Sequence, residues 1–102
     1  MIIIKLTYTA SIEQIDKYLQ QHREFLDNLY RQKFLLASGP MNPRTGGIII
    51  AMSDNVAHAK EIFKNDPFYL AELADYEFIE FTPVKHSEVL KEFILEKEGK
   101  LC

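Results

Sequence analysis

His22 is the residue of this 102-residue chain whose type and position point most directly to chemistry. It lies on the apolar face of a predicted helix, together with Ile15, Leu19 and Leu26, so its side chain should point inward. Histidine has an unperturbed pKa of about 6.5, and a half-buried histidine in a pocket is therefore suited to general acid–base catalysis. The alternative is a core histidine with one hydrogen-bonded ring nitrogen and no chemical role.

Asp66 is the predicted partner of His22. It precedes Pro67 and Phe68, where the second predicted helix stops. When two helices lie side by side on a sheet, the middle of the first is close to the segment that follows the second. A carboxylate there would accept a hydrogen bond from one nitrogen of His22, fix the tautomer and leave the other nitrogen free as a base. Aspartate before proline is also common in turns and at helix ends, so both interpretations stay open.

We predict that Ser38, Gly39, Pro40, Arg44 and Phe68 bind the substrate. Ser38, Gly39 and Pro40 end the second predicted strand, and backbone N–H groups near Gly39 would bind an anionic or carbonyl oxygen. Arg44 lies in the loop that follows and would bind a substrate carboxylate. The alternatives are a simple strand terminator at Gly39-Pro40 and a solvated loop charge at Arg44.

The other motifs favour neither a metal nor a cofactor. His58 and His86 complete the histidine count, and no histidine or cysteine pair has the spacing of metal ligands. Neither glycine-rich phosphate-binding motif is present, so the sequence predicts no nucleotide cofactor.

Composition and charge narrow the class of protein. Hydrophobic residues make up 47% of the chain and charged residues 26%, which is typical of a globular domain. The net charge of -3 and the scattered basic residues argue against a nucleic-acid partner. The single cysteine, Cys102, suits a reducing compartment. The apolar run over residues 1–6 is too short for a signal peptide or a membrane span. We therefore expect a cytoplasmic protein with no membrane partner.

The elements that must position these residues follow from hydrophobic periodicity. Strands are predicted over Ile2–Thr9, Phe34–Ser38, Gly47–Met52 and Tyr76–Val84; helices are predicted over Ile12–Gln32, Asn55–Lys64 and His86–Gly99, with a short helical turn over Tyr69–Ala74. This order is βαββαβ with an added C-terminal helix. It predicts a ferredoxin-like α+β fold with a four-stranded antiparallel sheet over residues 1–85, followed by a helical extension over residues 86–102.

The second and third predicted strands are apolar on both faces, whereas the helices can cover one face of the sheet. A large exposed apolar patch marks an interface. We therefore predict a homodimer formed through the open sheet face. The C-terminal helix would cover a sheet edge or embrace the partner, and the alternative is a solvent-facing tail.

The segment Leu35–Pro40, with His22 upstream, and the later Asp66-Pro67-Phe68 resemble the YCII-related family. An aromatic strand that ends in Phe81-Thr82-Pro83-Val84 strengthens the resemblance, which covers about residues 1–85. The resemblance implies a dimeric α+β barrel formed by sheet-to-sheet pairing.

The resemblance also implies function. It implies that His22 and Asp66 form an active-site pair. It also implies that the family's turn near the active site corresponds to Ser38 and Gly39. Related barrels include cofactor-independent isomerases, lyases and monooxygenases of small, often aromatic, molecules. One departure is Ala71-Glu72, where family members often have Ala-Gly; a glutamate there would narrow or recharge the mouth of the pocket.

These observations predict a small cytoplasmic enzyme that performs cofactor-free acid–base chemistry, as a lyase or isomerase, on a small molecule. His22 would be the general acid and base, and Asp66 would orient it. The alternative is a non-catalytic module that binds a small metabolite or serves as an assembly surface.

Overall fold

The computed structural model describes residues 1–91, which form a four-stranded antiparallel sheet with helices packed on one face. The elements are β1 (Ile2–Tyr8), α1 (Ile12–Arg31), β2 (Leu35–Pro40), β3 (Gly46–Ala51), α2 (Val56–Phe63), α3 (Pro67–Leu70) and β4 (Ala74–Glu80). The strand order in the sheet is β2-β3-β1-β4, and β1 pairs with both β3 and β4. The predicted ferredoxin-like arrangement is therefore confirmed.

The core lies between the sheet and the helices. Alternation along β1 turns Ile2, Ile4 and Leu6 toward the helices, and each of the three is 2% exposed or less. The helices contribute Ile15, Leu26 and Leu29 from α1 and Ala59 and Phe63 from α2 to the same cluster. Each buried aliphatic or aromatic side chain of this kind contributes about 1.5–3 kcal/mol of transfer free energy.

The ends of α1 have local causes. The Ser11 hydroxyl accepts a hydrogen bond from the backbone N–H of Gln14 at 3.3 Å and caps the first turn. After Arg31 the chain leaves the helix, and Lys33 takes a φ of 59°, the left-handed conformation common just after a helix. The twenty residues between these ends place His22 in the middle of the helix, on its buried face.

Two predicted boundaries near Asp66 are wrong, for one physical reason. The short helix begins at Pro67, not at Tyr69, because the Asp66 side chain accepts from the backbone N–H of Phe68 and proline is favourable in the first helical turn. Asp66 therefore starts a helix rather than stopping one. The last strand correspondingly begins at Ala74, opposite Tyr8 of β1.

β1 begins at Ile2 as predicted, and the remaining strand ends differ from prediction by one to four residues. β4 ends at Glu80, because its antiparallel partner β1 begins at Ile2. β2 continues through Gly39 and Pro40, which pair with Ile48 and Gly47 of β3, so the strand ends at Pro40, two residues after the predicted end at Ser38. Proline is tolerated there because β2 is an edge strand.

The predicted C-terminal helix lies mostly outside the described residues. Within them, Ser87 caps a single 3-10 turn over Glu88–Leu90. The division of the chain at residue 85 stays a prediction. Across residues 1–91, no helix is both long enough and apolar enough to span a membrane.

Gly46 offers a test of the β1–β3 packing. A Cβ atom on Gly46 would lie 1.8 Å from the carbonyl oxygen of Leu6, whereas a Cβ on Gly39 would have nothing within 4 Å. We expect Gly46→Ala to lower the free energy of unfolding by about 1–3 kcal/mol, because the backbone must shift. The matched control Gly39→Ala should change it by less than about 0.5 kcal/mol. Urea denaturation measures both, and equal midpoints for the two variants would contradict this packing.

Candidate active site

His22 and Asp66 are in direct contact. The Nδ1 atom of His22 lies 2.8 Å from Oδ1 of Asp66, and the two residues are 8% and 0% exposed. The middle of α1 supplies the histidine, and the residue that caps α3 supplies the carboxylate. The structure therefore brings together the two residues that the sequence proposed as a pair.

Asp66 accepts two further hydrogen bonds. The backbone N–H of Phe68 donates to Oδ1 at 3.1 Å, and the hydroxyl of Tyr76 donates to Oδ2 at 2.5 Å. An ionised carboxylate only accepts hydrogen bonds, so Nδ1 of His22 must carry the proton in this contact. In the neutral ring this leaves the lone pair on Nε2. No hydrogen bond within residues 1–91 uses Nε2.

Phe68 fixes the plane of the imidazole ring. The two ring centroids are 4.0 Å apart, and the ring planes differ by 6°. Phe68 is itself held edge-on by Tyr8 at 6.2 Å. Because α3 carries both Phe68 and the capping carboxylate, one short helix determines both the position and the plane of the His22 ring.

The contact between Tyr76 and Asp66 is the part of this cluster that sequence reasoning missed. The position of Tyr76 on β4 predicts an inward-facing aromatic side chain, but nothing in the sequence reveals that its hydroxyl reaches Asp66. Burial raises the pKa of Tyr76 well above its ordinary value of 10.0, and the negative charge of Asp66 and the hydrogen bond to it act in the same direction. The hydroxyl therefore keeps its proton near neutral pH and remains a donor to Asp66.

A cavity of about 280 Å³ adjoins His22. It is lined by Leu6, Tyr8, His22, Arg23, Leu26, Ser38, Gly39, Pro40, Gly47, Ile48, Ile49 and Phe68. Its volume is near the lower end of the roughly 300–1,000 Å³ typical of small-molecule sites. The cavity therefore has room for a compact molecule such as a substituted single ring.

Four of the five predicted substrate-binding residues line this cavity, namely Ser38, Gly39, Pro40 and Phe68. The oxygen of the Ser38 hydroxyl is 2.7 Å from that of Tyr30 on α1. This contact fixes the position of the serine oxygen at the cavity wall.

Arg44 lies outside this set of lining residues. Its guanidinium donates to Oδ1 of Asp16 at 2.6 Å in an exposed pair, and this bond, with a smaller effect of Tyr8, raises the pKa of Arg44. The basic side chain that does line the cavity is Arg23, which sequence reasoning missed.

Glu72 does not line the cavity either. It follows α3 with a φ of 56°, in the left-handed region that favours glycine, and its carbonyl oxygen accepts from the Thr9 hydroxyl at 3.3 Å. The departure from Ala-Gly at this position thus concerns the end of a helix. Among residues 1–91 no group of three histidine, cysteine or acidic residues lies close enough together to hold a metal ion.

Tyr76→Phe tests the third hydrogen bond to Asp66. Loss of a donor to a buried carboxylate should lower the free energy of unfolding by about 1.5–3 kcal/mol at neutral pH. Because the pKa of Tyr76 is raised on folding, the native protein loses stability above pH 10.0, where the unfolded tyrosine ionises, so the deficit of the variant should shrink there.

The control for this prediction is Tyr69→Phe, since Tyr69 is 44% exposed and makes no hydrogen bond through its hydroxyl within residues 1–91. Urea denaturation at a series of pH values measures both variants. A Tyr76→Phe protein as stable as Tyr69→Phe at neutral pH would contradict the hydrogen bond.

Comparisons with known proteins identify relatives of the chain and of its fold. The uncharacterized protein YjpA of Bacillus subtilis (strain 168) is 35% identical over 65 residues, which are 60% of this chain and 76% of YjpA. A solved structure, 5-chloro-2-hydroxyhydroquinone dehydrochlorinase (TftG) from Burkholderia phenoliruptrix AC1100 in complex with 2,5-dihydroxybenzoquinone, has a TM-score of 0.67 at 18% identity. The similarity covers 87% of this chain and 98% of that one, and it shows a shared fold.

The model of one protein family, the YCII-related domain, matches residues 1–82. These residues include the whole sheet, α1, α2, His22 and Asp66. The chain therefore belongs to the YCII-related domain family, as its motifs predicted.

Proposed function

We propose that this protein is a small cytoplasmic enzyme that uses His22 and Asp66 for cofactor-free acid–base chemistry on a small cyclic molecule. The observation that carries the proposal is the 2.8 Å contact between Nδ1 of His22 and the buried Asp66 carboxylate, beside a cavity that His22 lines. This contact leaves the lone pair of Nε2 available as a base.

The proposed reaction begins when Nε2 takes a proton from an acidic C–H or O–H of the substrate. The imidazolium that forms is stabilised by the Asp66 carboxylate at Nδ1. The electron pair left on the substrate then forms a double bond. In an elimination this expels a leaving group on the neighbouring atom, and the proton on His22 then passes to the leaving group or to water. In an isomerisation His22 returns the proton to another atom of the substrate.

The walls of the cavity support a polar ring as substrate. The Ser38 hydroxyl and the backbone near Gly39 offer hydrogen bonds to a ring oxygen, and the Arg23 guanidinium offers a charge-assisted bond to an ionised one. The fold neighbour TftG is a dehydrochlorinase of a hydroxylated ring compound, and its structure contains a dihydroxybenzoquinone. A lyase reaction on a related ring is thus the first chemistry to test.

We also infer that two copies pair through the open sheet face. Ile3 of β1 lies between Ile50 of β3 and Ile79 of β4 on the face opposite the helices. Ile79 is exposed and Ile3 and Ile50 are half-buried, so the row is an apolar strip that the rest of the protomer leaves partly uncovered. Lys5 and Glu77, cross-strand partners on the same face, give the strip a polar flank. An apolar centre with a polar rim is the usual anatomy of a protein interface.

His22→Gln tests the proposed chemistry. Glutamine keeps hydrogen-bonding capacity but cannot act as a base, so kcat/KM should fall by about 10²–10⁴-fold. The measurement is release of chloride from 5-chloro-2-hydroxyhydroquinone, and ligand binding is measured separately by calorimetry with 2,5-dihydroxybenzoquinone. Binding should persist in the variant, since the cavity wall is otherwise unchanged.

The control is His58→Gln, which changes an exposed histidine on α2 that does not line the cavity. Turnover by His22→Gln at the same rate as His58→Gln would refute the role of His22. Ring-compound binding with no turnover by the unaltered protein would favour the non-catalytic binding module.

Ile3→Lys tests the inferred dimer. A lysine in the middle of the isoleucine row would have to lose its hydration in both copies, so the dissociation constant of the dimer should rise at least about 100-fold. Sedimentation equilibrium measures the mass of each protein. The control is Leu70→Lys, because Leu70 is an exposed apolar residue on the helical side of the molecule. A monomeric unaltered protein would refute the inference.

A further inference from the structure

A second cavity of about 280 Å³ lies between α2, α3 and β4 and shares no lining residue with the first. Its walls contain four aromatic rings and two lysines, namely Phe63, Tyr69, Tyr76, Phe78, Lys60 and Lys64. The proposed chemistry uses none of these six as a substrate contact. The cavity therefore needs an explanation of its own.

The four rings form an aromatic box, in which Tyr76 and Phe78 are stacked 6.4 Å apart with planes that differ by 19°, and the other neighbouring rings meet at steeper angles. Tyr69 and Tyr76 lie 5.7 Å apart at 71°, and Phe63 and Phe78 lie 6.3 Å apart at 69°. Edge-to-face contacts of this kind are the arrangement that a further aromatic ring would also adopt. Tyr69 is 44% exposed, so this side of the box is open to solvent. The walls thus suit a small planar ring that enters from the surface.

The charge at the cavity is positive. Lys60 lies with its ammonium nitrogen 5.9 Å from the centre of the Phe78 ring and pairs with no carboxylate among residues 1–91. Lys64 is paired with Glu61 at 2.7 Å, so that charge is already balanced. Asp75 also borders the cavity, but strand alternation turns its side chain to the other face of the sheet from Ala74 and Tyr76. Lys60 therefore decides the sign of the ligand's charge.

We propose that this cavity is a second ligand-binding site, which takes a small aromatic monoanion such as a benzoate. The ring of the ligand lies among the aromatic walls, and its anionic group lies beside Lys60. This site is separate from the proposed catalytic site and does not depend on turnover.

The two sites are physically linked through Tyr76. Its ring belongs to the wall of the second cavity, while its hydroxyl donates to Asp66 at 2.5 Å, and Asp66 holds His22 at 2.8 Å. A ligand that moves the Tyr76 ring changes the third hydrogen bond to Asp66. Occupancy of the second cavity should therefore be felt at the His22 ring.

The first experiment titrates the isotope-labelled full chain with benzoate and follows amide signals by NMR. The proposal expects saturable shifts concentrated at residues 60–64 and 74–78. It also expects benzoate to bind about two- to fivefold more tightly than benzyl alcohol, since an exposed ion pair is worth up to about 1 kcal/mol. Lys60→Met should remove that preference, and Lys17→Met, an exposed lysine on α1, should keep it.

Shifts confined to residues around the first cavity, no saturation, or equal binding of the two probes in the unaltered protein would each overturn the proposed site. Because Lys60 is a surface residue, this comparison does not depend on a variant with an altered core.

Tyr76→Phe then tests the link. The variant keeps the aromatic wall but loses the hydroxyl, so benzoate should still bind while the ligand-induced shift of the His22 Cε1–H signal disappears. Tyr69→Phe should bind benzoate and keep that shift. A benzoate-induced shift of the His22 signal that is equally large in Tyr76→Phe would overturn the link. This outcome is independent of the result for His22→Gln, which tests the proposed catalysis.

Discussion

The buried carboxylate of Asp66 is the constraint on which the site depends. A fully buried charge is strongly destabilising unless donors replace the water it has lost. Asp66 has three such donors, and each comes from a different part of the fold: His22 from α1, the Phe68 backbone from α3 and the Tyr76 hydroxyl from β4. The removal of any one donor leaves the buried charge with one hydrogen bond fewer. The fold therefore holds the three elements in one relative position, and the orientation of the His22 ring follows from that requirement.

The arrangement of the elements makes this convergence possible. Because β4 pairs with the central strand β1, Tyr76 comes to lie opposite Leu6, on the face that the helices cover. Asp66 caps α3 and accepts a hydrogen bond from Tyr76, and in this position its side chain faces the middle of α1. One residue thus serves as a helix cap, as an anchor for a strand and as the partner of a histidine.

Much of the fold could be predicted from the sequence, because period-two and helical patterns determine which face of an element is buried. The inward position of His22 and the inner face of β1 follow directly from that rule. The pattern does not say which atoms meet across the core. The partner of the Tyr76 hydroxyl and the position of Arg23 at the cavity depend on distances between elements that are far apart in sequence. The start of α3 was misplaced for a different reason, because Asp-Pro can either stop a helix or begin one.

The sharing of Asp66 among three donors also bears on the role proposed for the pair. A carboxylate devoted to one histidine both orients the ring and concentrates its charge at Nδ1. Here the charge is divided among a ring nitrogen, a backbone N–H and a phenol, while Phe68 independently fixes the ring plane. In the proposed reaction, these contacts orient Nε2 toward the substrate. The substrate itself then has to supply the acidic proton that Nε2 takes. Hydroxylated rings meet this condition, because the negative charge left by the proton is delocalised over the ring and its oxygens.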